Sequence, residues 1–202
     1  MANVSQVKAQ FATDVTATST TAIAAAQTLG GAGNMTLTAA AATFGGTGSA
    51  QKVSLTCAAD MSAVTFTITG TDSKGVAQSE DLVGPNANTV FSTKYYNTVT
   101  QIAANGAVGT NTSAGVLGGA GDLLSIIFGG RTRIRGMHGV LAGAGNLLFR
   151  DGSATGTALL TLSASAGDLD PYIPDDGVLF PNGAYLTADQ GDITGLTVFY
   201  DG

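Results

Sequence analysis

Between Val64 and Thr69 the chain reads VTFTIT, with Val64, Phe66 and Ile68 separated by Thr65, Thr67 and Thr69. Alternation at period two puts the apolar side chains on one face of an extended strand and the threonines on the other. β-branched and aromatic residues suit such a half-buried, pleated surface. The run continues into TDSKG, whose Asp, Ser, Lys and Gly suit a tight turn, and then into VAQSEDLVGP, a second alternating run. Together they predict a β-hairpin, and a chain built around it is committed to sheets.

The remaining apolar runs follow the same rule. NTVFSTKYYNTVTQIAA adds strand material through Val90, Tyr96, Val99 and Ile102. Beyond residue 119, LLSIIF, RTRIRGMHGVLAG, NLLFRDG, ALLTLSA, GVLFPNGAYLTAD and GLTVFYDG are short runs parted by turn residues. Their spacing is that of a β-sandwich. Val4, Val7 and Phe11 form the best helical pattern, and it is too short to stand alone. GAGN occurs twice, at 31–34 extended by Gly30 and again at 143–146, each time before an apolar run, which reads as a recurring glycine turn. The expected fold is all-β: two small antiparallel β-sandwich or barrel domains, jelly-roll-like, behind an extended N-terminal arm.

Charge divides the chain in two. Every lysine (Lys8, Lys52, Lys74, Lys94) precedes residue 95, and every arginine (Arg131, Arg133, Arg135, Arg150) follows residue 130. Four lysines against five acids give −1 up to residue 119, and four arginines against nine acids give −5 beyond it. NGAVGTNTSAGVLGGAGD, residues 105–122, is the expected junction because Gly, Asn, Ser and Thr crowd it. The expected layout is a flexible arm at 1–20, an N-terminal β-domain at 21–119 and a C-terminal β-sandwich domain at 120–202.

Charged residues make up only 11% of the chain, and 29 of its 202 residues are glycine. Its surface must therefore be covered by Thr, Ser, Asn, Gly and Ala, which leaves little charge to desolvate when another protein packs on it. That favours life in an assembly. A net charge of −6 argues against general nucleic-acid binding, which needs a Lys/Arg excess to displace counterions. The single cysteine, Cys57, reads as a buried thiol on a strand, and no internal disulfide can form. MANVSQVKAQFATD carries no hydrophobic signal core, and no run approaches the roughly 18 apolar residues of a membrane span. Folding in a reducing cytoplasm, with no membrane contact, is the expectation.

RTRIRG places Arg131, Arg133 and Arg135 at every second position, so a strand there puts them on one face and Thr132 and Ile134 on the other. The stripe is either a solvated outer face or a binding surface for carboxylates, with which arginine forms forked hydrogen bonds. GDLDPYIPDDG is the one acid cluster, holding Asp168, Asp170, Asp175 and Asp176. It could pair with the arginines, in the same chain or a neighbouring subunit, or hold a cation; its spacing is not that of an EF-hand, and a charged turn into the next strand is the simpler reading. His138 is the only histidine, so one chain cannot build a multi-histidine metal site. No serine sits in a nucleophile motif, and GGTGSAQK lacks the glycine–lysine step of a phosphate loop. The expectation is no enzyme, no cofactor and no metal.

Two stretches carry a family resemblance. AAAQTLGGAGNMTL followed by KVSLTCAADMSAVTFTITGTDSKGVAQSEDLVGPNANTVFSTKYYNTVTQI resembles, over residues 22–103, a module of tailed-bacteriophage virion proteins. That module shows a glycine-rich entry strand, a TFTITGTD hairpin and a V.ST…TVT.I pair in this order. The second half is similar to a small phage β-domain in which F.DG is followed by IP..G..F.NG.Y and a closing TVFY strand. The resemblance implies a structural virion protein, most simply a capsid decoration or cement protein that binds the assembled head and stabilises it. Its implied partners are the major capsid protein or other virion proteins, with copies of itself in a homo-oligomer, a trimer being favoured, in virions assembled in the host cytoplasm. A neck, tail or fibre-base component is the alternative. A carbohydrate-binding adhesion module using Tyr95, Tyr96, Tyr172 and Tyr185 is a more distant one.

Overall fold

A computed structural model describes residues 6–116 and 122–202. Its strands are β1 (Val7–Ala12), β2 (Ser19–Leu29), β3 (Gly33–Asn34), β4 (Gln51–Cys57), β5 (Thr65–Thr71), β6 (Ala77–Val83), β7 (Thr89–Tyr96), β8 (Thr98–Ala104) and β9 (Val108–Val116). The second half adds β10 (Leu123–Phe128), β11 (Thr132–Leu141), β12 (Gly145–Asp151), β13 (Ala158–Ala164), β14 (Gly167–Leu169), β15 (Val178–Phe180), β16 (Ala184–Ala188) and β17 (Ile193–Asp201). Apart from one 3-10 turn at Ala39–Ala42, the regular structure of the described residues is β. All named strand pairs are antiparallel, as the all-β, sandwich-like expectation requires.

Contacts sort the chain into two compact units. One comprises Val15–Gly46 and Ala50–Gly118. Its two sheets run β2-β9-β4-β7 and β3-β8-β5-β6. Ile23, Val53 and Leu55 from the first sheet share a core with Phe66, Ile68, Val99 and Ile102 from the second. The hairpin forms as expected, β5 pairing β6 from Thr65↔Val83 to Thr71↔Ala77. Its turn is held by Asp72, whose Oδ1 accepts the backbone N–H of Lys74 at 2.8 Å and of Val76 at 3.0 Å. Tyr96 is fully buried at the end of β7 and donates its hydroxyl to the carbonyl of Ile68 at 3.3 Å. Burial, with the nearby charge of Glu80, pushes its phenol pKa well up.

The other unit comprises Met1–Asp14, Thr47–Ser49 and Gly119–Gly202. Its sheets run β1-β17-β11-β14, with β15 also on β11, and β10-β16-β12-β13. Buried Ile134, Met137, Leu196 and Val198 come from the first, and Leu123, Ile127, Leu147, Phe149 and Leu186 from the second. The F.DG and NG turns lock together: the Asp151 carboxylate accepts both the backbone N–H of Asn182, at 2.8 Å, and its side-chain amide, at 2.7 Å. Arg150 donates to Thr187 Oγ1 and to the Gly156 carbonyl, each at 3.0 Å, so it serves the fold.

One expectation fails here and another is refined. Residues 1–20 are not a flexible arm over their described strand segments, because Val7–Ala12 is a sheet strand paired with β17 and Ser19 and Thr20 begin β2. The helical spacing of Val7 and Phe11 is incidental, since β17 supplies a ladder that an isolated short helix lacks. The expected junction at 105–122 does contain the point where the chain passes from one unit to the other, between Gly118 and Gly119, but Val108–Val116 within it is strand β9, lying between β2 and β4. Its small residues are there for close approach rather than flexibility. A Cβ on Gly115 would lie 2.0 Å from the Ser19 carbonyl oxygen and 2.5 Å from the Thr20 carbonyl carbon. The rest of that stretch, 117–121, lies outside the described residues.

Gly115→Ala must therefore push two backbones apart in the middle of a sheet. Urea unfolding is expected to show a loss of about 2 to 3 kcal/mol, the upper part of the range for overpacking; an unchanged midpoint would mean that β2 and β9 separate freely.

Candidate interaction surface

The arginine segment opens β11, and its alternation comes out as the sequence implies. Thr132 and Ile134 are buried, while Arg131 and Arg135 are exposed and Arg133 is half-buried. Two of the three have acceptors within the chain. Arg133 Nη1 donates to the backbone carbonyl of Asp176 at 2.9 Å. Arg135 Nε lies 3.4 Å from Asp201 Oδ2, an ion pair across the bulge that separates Ile134 and Gly136 in the β11–β17 register. Arg131 has neither a hydrogen bond nor an ion pair among the described residues.

The acid loop is brought to these arginines by β15, which pairs with Thr132–Ile134. Gly177 makes the approach possible: its φ is +66°, and a Cβ there would lie 2.5 Å from the Ile134 carbonyl. Leu169 and Ile173 anchor the loop while Asp170, Tyr172, Asp175 and Asp176 stay exposed. Asp168 stands apart on β14, opposite Val140 near the far end of β11. The four acids thus do not act as one cluster, and the contact to Arg133 uses a backbone oxygen rather than a carboxylate. Among the described residues no group of three or more His, Cys, Asp or Glu side chains is placed to hold a metal ion.

Sequence reading missed Lys8 and Asp201, whose neighbourhood depends on strands from opposite ends of the chain. Lys8 Nζ donates to the Gly202 carbonyl at 2.6 Å and lies 5.6 Å from the centre of the Phe128 ring. Asp201 holds Arg135 with one carboxylate oxygen, while its Oδ1 is buried without a hydrogen bond. The Asp201 carbonyl accepts the Thr132 hydroxyl. Arg131, Thr132, Arg133, Leu179, Asp201 and Gly202 line an open cavity of about 270 Å³. It offers arginine donors to an incoming acceptor, whereas the unsatisfied Asp201 Oδ1 is buried and not open to it.

Other candidates separate in the structure. His138 is exposed further along β11. Cys57 is a buried free thiol. Tyr96 lies wholly in the core and cannot serve as a sugar platform, whereas Tyr172 is 85% exposed. Comparison with family models, curated proteins and solved structures found no match to this chain.

One carboxyl has a displaced pKa. Asp192 is 8% exposed, and its Oδ2 lies against Gly145 with no hydrogen-bond partner. Burial first, then the charges of Asp189 and Asp14, raise its pKa above the ordinary 3.8, although a backbone hydrogen bond from Asp189 opposes them. The folded chain therefore holds this proton more tightly than the unfolded chain, and ionising it costs stability as pH rises through the raised value. Asp192→Asn is expected to raise the melting temperature at neutral pH. That gain should shrink as pH falls through the raised pKa and vanish below the unfolded value; thermal melts from pH 3 to 8 check it.

Proposed function

We propose that the chain is a structural protein of a tailed-bacteriophage virion, a decoration or cement protein that binds the assembled head and stabilises it by protein–protein contact. The observation that carries this reading is Arg131, without a partner among the described residues, beside Arg133 at the mouth of a cavity in a chain otherwise poor in charge. An exposed guanidinium beside a strand can receive a carboxylate of a shell protein in a forked pair without first giving up a contact among the described residues. Buried area at repeated sites then stabilises the shell by mass action. The family resemblance of the two β-modules supports the same reading. The arginines and the cavity act as a docking feature, with no chemistry at the site.

Quantitative mass spectrometry of purified particles is the direct test, with a copy number comparable to the shell subunit as the expected result. A small fixed number would move the chain to the neck or tail, and absence from particles would overturn the virion reading. Arg131→Gln breaks no contact within the described chain, so it should leave the unfolding midpoint unchanged. It should weaken binding to assembled shells by about tenfold, with a reduced salt dependence. A triple change of Arg131, Arg133 and Arg135 is a poorer probe, because it also strips Asp201 and the Asp176 carbonyl of their donors.

A further inference from the structure

β1 is inside out for an edge strand of a sandwich. Lys8 and Gln10 sit opposite the buried Tyr200 and Val198, while Val7, Ala9 and Phe11 stand on the outer face. Cross-strand neighbours share a face, so the register fixes what else lies there. One row joins Val7, Asp201, Arg133 and Leu179; the next joins Ala9, Phe199 and Gly136. Then come Phe11, Thr197 and His138, and finally Gly195, Val140 and Asp168. Val7, Phe11, Val140 and Phe199 are 57%, 47%, 41% and 38% exposed, so four large apolar side chains of this unit share one exposed face. The aromatic rings lie against glycines: a Cβ on Gly195 would meet the Phe11 ring at 3.3 Å, and one on Gly136 would meet Phe199 at 3.8 Å. The result is a low, apolar centre, beside which Phe11, His138, Gly139, Val140, Thr194, Gly195 and Thr197 line a cavity of about 350 Å³.

The basic residues around this centre all lie at one end. Lys8, Arg131, Arg133 and Arg135 gather where β11 begins, with Asp201, Asp175 and Asp176 beside them. The opposite end holds Asp168 on β14, Asp14 just beyond β1 and Asp189 just before β17, while Asp192 next to them is buried. Asp14 is tied there by its carboxylate, which accepts the Gly191 N–H at 2.9 Å. The unit's remaining basic residue, Arg150, is engaged on the other sheet. Seven residues of strand, roughly 23 Å, separate Arg133 from Val140 and its neighbour Asp168.

We infer that this sheet face is a self-association surface on which two copies pack face to face about a two-fold axis near Phe199 and Thr197. A two-fold axis lying in the interface and perpendicular to the strands turns one face onto the other and reverses strand direction, so each arginine end meets the other copy's acid-only end. With every basic residue at one end, acids alone at the other and apolar side chains between, that orientation is the one that sets the arginines against carboxylates. Pairing through the free edge of β1 fits less well. Thr47 and Gly48 already occupy part of it: Thr13 N–H donates to the Thr47 carbonyl at 3.0 Å, and a Cβ on Gly48 would lie 2.1 Å from the Phe11 carbonyl oxygen. The association concerns the free chain and is tested without shells, so it fails or stands independently of the virion reading.

Sedimentation equilibrium of the full chain at low and physiological salt is expected to show a monomer–dimer equilibrium. Phe199→Ser should raise its dissociation constant about 100-fold, as for a central apolar anchor. Asp168→Arg and Arg131→Asp should each abolish self-association, because each sets like charges against each other at both ends of the dimer. An equimolar mixture of these two variants should form a heterodimer, since both ends are then complementary again. Circular dichroism and thermal melts establish that each variant is folded. A monomer at all concentrations, a trimer, variants that self-associate like the parent, or a mixture that stays monomeric would each overturn the inference.

Discussion

The pairing of β1 with β17 is the constraint on which the second unit depends. Six consecutive partners, from Val7↔Asp201 to Ala12↔Leu196, join the two ends of the described chain. Closing so long a loop costs only a little more than closing a short one, because the entropy grows logarithmically with length. The ladder, the Asp14 contact to Gly191 and the Ser49 hydroxyl bonded to the Thr13 carbonyl at 2.6 Å share that cost. With β1 in place, β17 is an interior strand, Lys8 reaches Gly202, and Phe11 covers Gly195. The place of Lys8 at the arginine end and of Val7 and Phe11 in the apolar face are products of this one pairing.

What could be read from the sequence was local. The β5–β6 hairpin needed only a period-two run, a turn with Asp72 and Gly75, and a second run, all within nineteen residues of each other. The placement of Thr132 and Ile134 inside, with the arginines outside, needed only the period of a strand. β1 was illegible because its pattern points the wrong way: its apolar residues face out and its polar ones face in, so amphipathicity carries no signal of where it docks. β9 misled for another reason. Its Gly, Ser and Thr look like a linker, yet they are small because neighbouring strands approach closely, and composition cannot separate those two causes.

The interaction surface was legible to the same degree. Arg131, Arg133 and Arg135 stand out because charge is scarce, and the acid loop follows them on β15 as the short strand VLF suggests. Asp201 as the partner of Arg135 was out of reach, since it lies 66 positions away and depends on the register of β17 across a bulge. The loop's contact through the Asp176 carbonyl was equally hidden, because a cluster of acids invites a carboxylate pairing and the structure supplies a backbone oxygen instead.

Scarcity of charge also decides how the surface works. Surface ion pairs contribute little, about 0 to 1 kcal/mol each, so Arg135 and Asp201 do not hold the fold together. Their effect is to neutralise one guanidinium in place and leave Arg131 without a partner in the described chain. The acidic residues at the other end of the sheet lie about 20 Å away by strand geometry. That exceeds the Debye length of about 8 Å at physiological ionic strength, so the two ends hardly sense each other within one chain. Each is free to respond to whatever approaches it. Apolar contact at the centre then supplies attraction without direction, and the separated charges supply direction with little attraction, so orientation can be set at small cost to the stability of the chain itself.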